Sequence, residues 1–387
     1  MKLFLRSLSY VFVAVITCCC TVMVMQPTPE PPSKLEELQA VIEECFIGEA
    51  DPVAMGDAAA DAMVDSLGDR WSYYIPASRY NAYKEQMNNA YVGIGITITA
   101  REDNLGLNIT EVNPGGSAAE AGIRPGDILS AVNGQRTAEL GIDGTSEVIR
   151  GEVGTTVEIT VLRDEEELTF PVERREIRVT VATGTMLEGN IGLVIISNFD
   201  SRCYQETVAA IESMLEQGAT SLLFDVRNNP GGYKSELVDV LDYLLPEGPL
   251  FRSLYYTGKE TVDTSDADCL QIPMAVLVNG SSYSAAEFFA AAIREYEAGF
   301  VVGTQTSGKG YFQNTMQLSD GSAVGLSVGK YFTPDGVCLA DVGGLTPDVV
   351  VEVDQDTEAM IRAGLLAPEN DPQIQAAVEK LLAQNGR

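Results

Sequence analysis

The chain has 387 residues, enough for more than one hydrophobic core, and an apolar share of 45% with mean hydropathy near zero describes a folded protein. Its 56 acidic against 25 basic side chains give a formal net charge of -31, a surface that repels polyanions and argues against nucleic acid as a partner. There is no histidine, which removes the commonest general base and the commonest metal ligand together. A hydrolase without bound metal built from this sequence must take its base from Lys, Asp or Glu.

The N-terminus reads as a membrane signal. Lys2 and Arg6 precede an uncharged apolar stretch from Leu8 to Met25, long enough to cross a bilayer, and Pro27, Pro29, Pro31 and Pro32 mark a tether. Basic residues before the span and acidic ones after it place the body of the chain outside the cytoplasm. The expectation is a single-pass signal-anchor over residues 1–27. A signal peptide cleaved to release a secreted protein is the alternative, and a lipidated cysteine fits poorly because Thr17 precedes Cys18. Cys45, Cys203, Cys269 and Cys338 stand apart, without the paired spacing of a redox or zinc site.

After the tether, Leu35, Leu38, Val41, Ile42, Cys45 and Phe46 recur at helical spacing, as do Ala59, Ala62, Met63, Ser66 and Leu67. They predict two short amphipathic helices ending at Gly68, which need a partner surface in the main body or in a second subunit. Between Tyr91 and Glu176, short β-rich runs alternate with turns such as Pro125-Gly126 and Asn133-Gly134, predicting a small barrel or sandwich with a helix between Gly144 and Arg150. From Ile177 the rhythm becomes strand and helix in alternation. Strands are expected at Ile191 to Ile196, Ser221 to Val226 and Met274 to Asn279, and helices at Tyr204 to Glu216, Ser235 to Leu245 and Ser284 to Tyr296. Buried apolar strands alternating with helices imply a layered α/β core. A last helix should open at Asp371-Pro372, with Ile374, Val378, Leu381 and Leu382 as its apolar stripe.

The chemistry concentrates in three stretches. In Val276 to Ala290 an apolar strand runs through a small polar turn into a helix, leaving Ser281, Ser282 and Ser284 near a helix start whose free N–H groups can stabilise an oxyanion. Composition does not choose among the three serines, and one of them is expected to cap the helix. In Val301 to Gln313, Lys309 lies between Gly308 and Gly310, held by a bend. A lysine base must be neutral near working pH, which burial favours. Gln313 stands an even number of residues away, on the same side of an extended segment, and could orient the lysine. Phe224 to Gly232 closes a strand with a glycine turn that lets backbone approach a ligand, or simply makes a tight βα connection.

These stretches, in this order, are similar to the C-terminal processing, or tail-specific, peptidases, and the resemblance runs from about Leu35 to the C-terminus. Met63 to Pro76 resembles the family's stretch before its PDZ domain. Tyr91-Val-Gly-Ile-Gly-Ile96 resembles the PDZ opening, and Val112 to Asp127, with Asn113-Pro-Gly-Gly, resembles its most typical part. Asp225 to Gly232 is similar to the core motif that supplies an oxyanion glycine, and Asn279 to Glu287 to the nucleophile motif. The family's lysine follows its serine by 25 positions and its glutamine comes four later, where Lys309 and Gln313 stand. Lys330 to Gly336 and Gly344 to Asp348 match the end of the core. Glycine is common where this chain has Ser281, and small residues where it has Tyr283, which could narrow a side-chain pocket.

The resemblance implies a multi-domain α/β protein: a crotonase/ClpP-like layered peptidase core with an inserted β-rich PDZ domain and terminal helices. The expected division is tether and helical segment 28–88, PDZ domain 89–176, peptidase core 177–359 and C-terminal helical segment 360–387. It implies a serine endopeptidase with Ser284 as nucleophile, Lys309 as base and Gln313 assisting. The oxyanion donors would be the N–H groups of Ala285 and of Gly231, with Gly232 the competing choice. Gly93, Ile94, Gly95 and Ile96 would hold the substrate's C-terminus. No metal or organic cofactor is implied. Partners would be proteins or peptides with accessible C-termini, and a homodimer through the terminal helices is compatible. The rival expectation is a catalytically inactive PDZ-containing scaffold at the cell envelope, which would need none of these side chains.

Overall fold

The computed structural model describes residues 32–385 apart from 88, 89, 102 and 104, and divides into two compact units, residues 1–66 and 67–387. The expected anchor lies outside the described residues, among which no helix is long and apolar enough to cross a membrane. In the first unit the two expected helices are Lys34–Cys45 and Pro52–Asp65. Ser33 and Glu36 close a capping box at the first, and Asp51 caps the second ahead of Pro52. Only Val64 of these helices is buried, so Leu35, Leu38, Val41 and Met63 keep their apolar faces exposed.

The second unit is organised by a six-stranded sheet in the order Ala182–Leu187, Ile191–Ile196, Ser221–Asp225, Met274–Val278, Gly299–Gly303, Val349–Val350. The first pair is antiparallel and the rest are parallel. Met274–Val278 reads Met-Ala-Val-Leu-Val and is buried at every position, as a parallel strand covered on both faces must be. Ile196, Phe224 and Val276 face a core shared with the helices Cys203–Glu216, Lys234–Leu244 and Ala285–Glu295. Leu193, Leu223 and Leu277, of opposite parity, pack with Ile374, Ala377 and Leu381 of the C-terminal helix Pro372–Asn385.

That helix starts where Asp371-Pro372 predicts. Asp371 Oδ1 accepts from the N–H groups of Gln373 at 2.9 Å and Ile374 at 3.2 Å. Its other oxygen meets Arg227 at 2.8 Å, and Arg227 meets Asp225 at 2.6 Å. All three side chains are buried, so this cluster fastens the C-terminal helix to the end of the strand Ser221–Asp225, where the glycine turn begins.

An antiparallel five-stranded sheet adds the strands Tyr73–Ile75, Ala323–Phe332, Gly248–Tyr255 and Glu260–Ser265 in that order, with Tyr311–Gln317 also paired to Ala323–Phe332. The β-rich insertion is a six-stranded sheet ordered Ile96–Thr99, Leu107–Val112, Ile128–Val132, Thr156–Arg163, Glu166–Glu173, with Gln135–Arg136 beside Ile128–Val132. It closes over its own core of Ile94, Ile109, Leu129, Val157 and Ile159. Its helical segment begins earlier than expected, at Thr137, as two pieces separated by a break at Gly141, φ 69°, within Thr137–Ile149. The strands leading in and out, Ala90–Gly93 and Arg175–Arg178, pair antiparallel with Tyr91 opposite Ile177. The chain therefore returns where it left, and the whole is a multi-domain α/β architecture carrying an inserted β-rich module.

Replacing Arg227 with Ala should leave Asp225 and Asp371 buried without their cation and lower the unfolding free energy by roughly 3–5 kcal/mol. Urea denaturation followed by circular dichroism would read this as a fall in midpoint. A midpoint unchanged from wild type would mean that the cluster does not hold the C-terminal helix.

Candidate active site

The strand Met274–Val278 ends in Asn279, and the turn that follows is built by side chains. Asn279 Oδ1 accepts from the N–H groups of Asn228 at 2.9 Å and Ser281 at 3.1 Å. Ser282 is fully buried and spends its hydroxyl on the Val226 carbonyl at 2.7 Å, while accepting from the Asn279 N–H at 3.0 Å. Ser281 and Ser282 are thus turn residues. Ser284 alone of the three faces a cavity of about 730 Å³, at the N-cap of the helix Ala285–Glu295.

Ser284 carries φ 59° and ψ −126°, a conformation that costs a non-glycine residue about 1–3 kcal/mol and persists only where its surroundings enforce it. Two contacts do so. The Tyr283 N–H donates to the Asn229 carbonyl at 3.2 Å, and the Ser284 N–H donates to Glu287 Oε2 at 3.0 Å. Glu287 is fully buried and also receives the Thr306 hydroxyl at 2.5 Å, the Gly308 N–H at 2.6 Å and the Lys309 N–H at 2.9 Å. Burial pushes its carboxyl up, and those four donors pull it back. One side chain thereby joins the serine turn to the lysine bend.

Lys309 enters the same cavity. Burial lowers its pKa from 10.5 to about 8, against the opposing pull of Glu287 and Asp69. Its apolar surroundings are aromatic: Nζ lies 4.8 Å from the centre of the Trp71 ring and 5.9 Å from that of Tyr283, and the two rings are 5.9 Å apart. The segment bearing Trp71 is fixed by Asp69, which accepts from the Trp71 N–H at 3.1 Å and the Ser72 hydroxyl at 2.6 Å. Arg70 then reaches the Ser307 carbonyl at 3.2 Å.

The glycine turn comes against Ser284. A Cβ on Gly231 would lie 2.7 Å from Ser284 Cβ and 2.9 Å from the Ala285 nitrogen, and φ is +86° there. Only glycine permits this approach, which lines a backbone wall beside the free N–H groups at the helix start.

The profile of peptidase family S41 matches residues 190–351, which contain every one of these groups except Asp69 to Ser72, and a PDZ domain profile matches residues 109–163. A probable CtpA-like serine protease of Staphylococcus aureus strain N315 is 30% identical over 325 residues, covering 83% of this chain and 64% of that protein. Its counterpart in Staphylococcus epidermidis is 30% identical over 322 residues, covering 82% and 65%. The chain belongs to peptidase family S41. It thus spans just under two thirds of the length of these curated relatives. A putative S41 protease from Bacteroides fragilis shares the fold, with a TM-score of 0.52 at 16% identity over 93% of this chain and 99% of that one.

Within the S41 core, the structure brings Ser284, Ala285, Lys309, Gln313 and Gly231 to one cavity. Two details differ from the sequence-based expectation. The Gly231 N–H is already donated to Asn229 Oδ1 at 2.8 Å, whereas the neighbouring Gly232 N–H has no acceptor among the described residues. Gln313 donates its amide to the Tyr311 carbonyl at 3.1 Å and Ser327 Oγ at 3.0 Å rather than contacting Lys309. Lys309 precedes the strand Tyr311–Gln317 and a bulge falls between Phe312 and Gln313, yet both side chains line the one cavity. Tyr283 walls the lysine as well as the cavity.

In the PDZ domain, Ile94 is a core side chain, so only its backbone can serve a ligand. Gly93 ends the strand Ala90–Gly93, Gly95 has φ +80°, and Ile96 opens the edge strand of the sheet. Sequence reasoning missed Glu287, Thr306, Asn229 and Trp71. Glu287 alone carried a signal, a carboxylate three residues after a helix-capping serine.

Gly231→Ala sets a methyl against the Ser284 side chain and the Ala285 and Tyr283 backbone at a positive φ, so it should push Ser284 from its place and also lower stability. A displacement near 1 Å costs roughly 100-fold in rate. Peptide cleavage at wild-type rate by this variant would show that the turn tolerates the added methyl and that the close approach is not needed.

Proposed function

We propose that this chain is a serine endopeptidase that recognises substrate C-termini through its PDZ domain and hydrolyses peptide bonds with a Ser284–Lys309 pair assisted by Gln313. The observation that carries the proposal is the pairing of a strained, cavity-facing Ser284 with a Lys309 whose pKa is lowered to about 8 in the same cavity. In a chain without histidine, such a lysine is the base best poised near neutral pH.

In this mechanism neutral Lys309 takes the proton of Ser284 as its oxygen attacks the scissile carbonyl. The oxyanion is held by the Ala285 N–H and by a second N–H from the Gly231-Gly232 turn. Gly231 serves if its amide leaves Asn229, and Gly232 serves as it stands. The protonated lysine then gives its proton to the leaving amine, and water hydrolyses the acyl-enzyme through the same base. With the Gln313 amide nitrogen committed to Tyr311 and Ser327, its oxygen is the atom left to accept from Lys309.

For recognition, the strand Ile96–Thr99 is paired on one side only, by Leu107–Val112, and leaves an edge to which an extended peptide can add. The substrates proposed are proteins or peptides with accessible C-termini, as the relatives' CtpA-like description suggests. We assign the layered core to the crotonase/ClpP-like kind and the N-terminal apolar stretch to a membrane tether, with dimerisation through the exposed helices Lys34–Cys45 and Pro52–Asp65.

Because the neutral lysine is the active form, kcat/KM should rise with pH, tenfold per unit below about 8, and level off above it. S284A and K309A should both abolish release of C-terminal fragments from an unstructured protein, followed by mass spectrometry. Cleavage that survives S284A would sink the mechanism. Binding without cleavage by the wild type would favour the inactive scaffold.

A further inference from the structure

The aromatic wall of the cavity contains a hydroxyl that the mechanism above does not use. Tyr331 lies on the strand Ala323–Phe332, is 3% exposed, and lines the cavity together with Ser284. Among the described residues three buried side-chain polar atoms lack a hydrogen-bond partner, on Thr145, Thr261 and Tyr331, and only the Tyr331 hydroxyl is in that cavity. A hydroxyl left buried and unpaired is destabilising, whereas phenylalanine would fill the same space without that cost. Its neighbours explain where it points. The ring meets Phe288 edge-on with centroids 4.5 Å apart and Phe251 at 5.4 Å, and the Tyr331 N–H donates to the Gly310 carbonyl at 3.1 Å. Phe288 stands one helical turn after Ser284, on the same face of the helix. Tyr331 is therefore clamped between the nucleophile helix and the residue after Lys309.

We propose that the Tyr331 hydroxyl is a hydrogen-bond donor to Ser284 Oγ, made as the serine turns toward substrate, which fixes the attacking oxygen and stabilises the charge that grows on it. The proposal rests on Ser284 being the nucleophile. The tyrosine keeps its proton throughout: the Ser284 proton goes to Lys309, the new bond forms between Oγ and the scissile carbon, and the phenol donates a hydrogen bond only. The same donor supports Oγ when it departs as the leaving group in hydrolysis of the acyl-enzyme. Burial raises the phenol's pKa, and the adjacent Ser284 hydroxyl is what draws it back, without the two meeting hydrogen-bond geometry in this structure. A phenol held neutral in this way remains a donor across the pH range in which Lys309 loses its proton.

The test compares single-turnover cleavage of an unstructured polypeptide ending in a free apolar C-terminus by wild type, S284A and Y331F, with thermal unfolding measured in parallel. Y331F should cleave roughly 10- to 100-fold more slowly, the value of one hydrogen bond to a charged oxygen, while its Tm is unchanged or higher because no polar group is left unpaired. Wild-type rate in Y331F with S284A inactive would overturn this proposal alone. Slow cleavage together with a lowered Tm would also overturn it, assigning Tyr331 to packing. Equal cleavage by wild type and S284A, or none by wild type, would remove the nucleophile assignment and this inference with it.

Discussion

Four hydrogen bonds to one buried carboxylate govern the geometry of this site. Glu287 receives the N–H groups of Ser284, Gly308 and Lys309 and the hydroxyl of Thr306. The direction of the last is fixed, because Thr306 Oγ1 itself accepts from the Leu345 N–H at 2.7 Å and has its proton left for the carboxylate. A group surrounded by four donors is an acceptor on both oxygens, so the site favours the ionised form even though burial raises the pKa. The same charge that fixes the serine's backbone also acts on the lysine, drawing its pKa up. Without Glu287 the lysine would be easier to deprotonate and harder to place. The value near 8 is where desolvation outweighs that pull without cancelling it.

Desolvation comes from side chains far apart in sequence. Trp71 and Tyr283 wall the ammonium, and Trp71 belongs to a short segment, Asp69 to Ser72, which precedes the PDZ insertion. The insertion leaves and returns through one antiparallel pair, Ala90–Gly93 with Arg175–Arg178, so a whole domain separates Trp71 from Lys309 in sequence without separating them in space. Asp69 has two opposing effects there. It anchors Trp71, which helps bury the lysine, and its own charge resists the deprotonation that burial favours.

What was legible in the sequence followed from periodicity and punctuation. The strand Met274–Val278, the helix after Ser284 and the capped C-terminal helix read directly, since each is a continuous apolar run or stripe with a recognisable end. The strands Gly248–Tyr255 and Glu260–Ser265 did not, because Arg252 and Ser253 interrupt the apolar residues of the first and Val262 is the one large apolar side chain of the second. Gly248–Tyr255 nevertheless supplies Phe251, Ser253 and Tyr255 to the cavity. The choice of Ser284 over Ser281 and Ser282 came from family resemblance, and its physical reason, Ser282 spending its hydroxyl on Val226, needed the fold. Gln313 does enter the cavity with Lys309, but a bulge between Phe312 and Gln313 breaks simple two-residue alternation, so strand parity alone does not account for it. Glu287 is one of 56 acidic residues, and its place three residues after a capping serine marks a helix start without showing that the carboxylate will be buried among four donors.

The absence of histidine has a structural consequence that runs through all of this. An imidazole is near its pKa in water and needs little from its surroundings, whereas a lysine must be brought down by more than two units before it can accept a proton at neutral pH. Lys309 meets that demand: it sits on a bend held through backbone N–H groups and faces aromatic rings, and among the described residues no carboxylate is ion-paired with its ammonium. A salt bridge at Nζ would hold the lysine just as firmly and would also keep it charged. Glu287 avoids the conflict by holding the Lys309 backbone nitrogen at 2.9 Å, so the carboxylate positions the residue through its main chain while aromatic surface sets the protonation of its side chain.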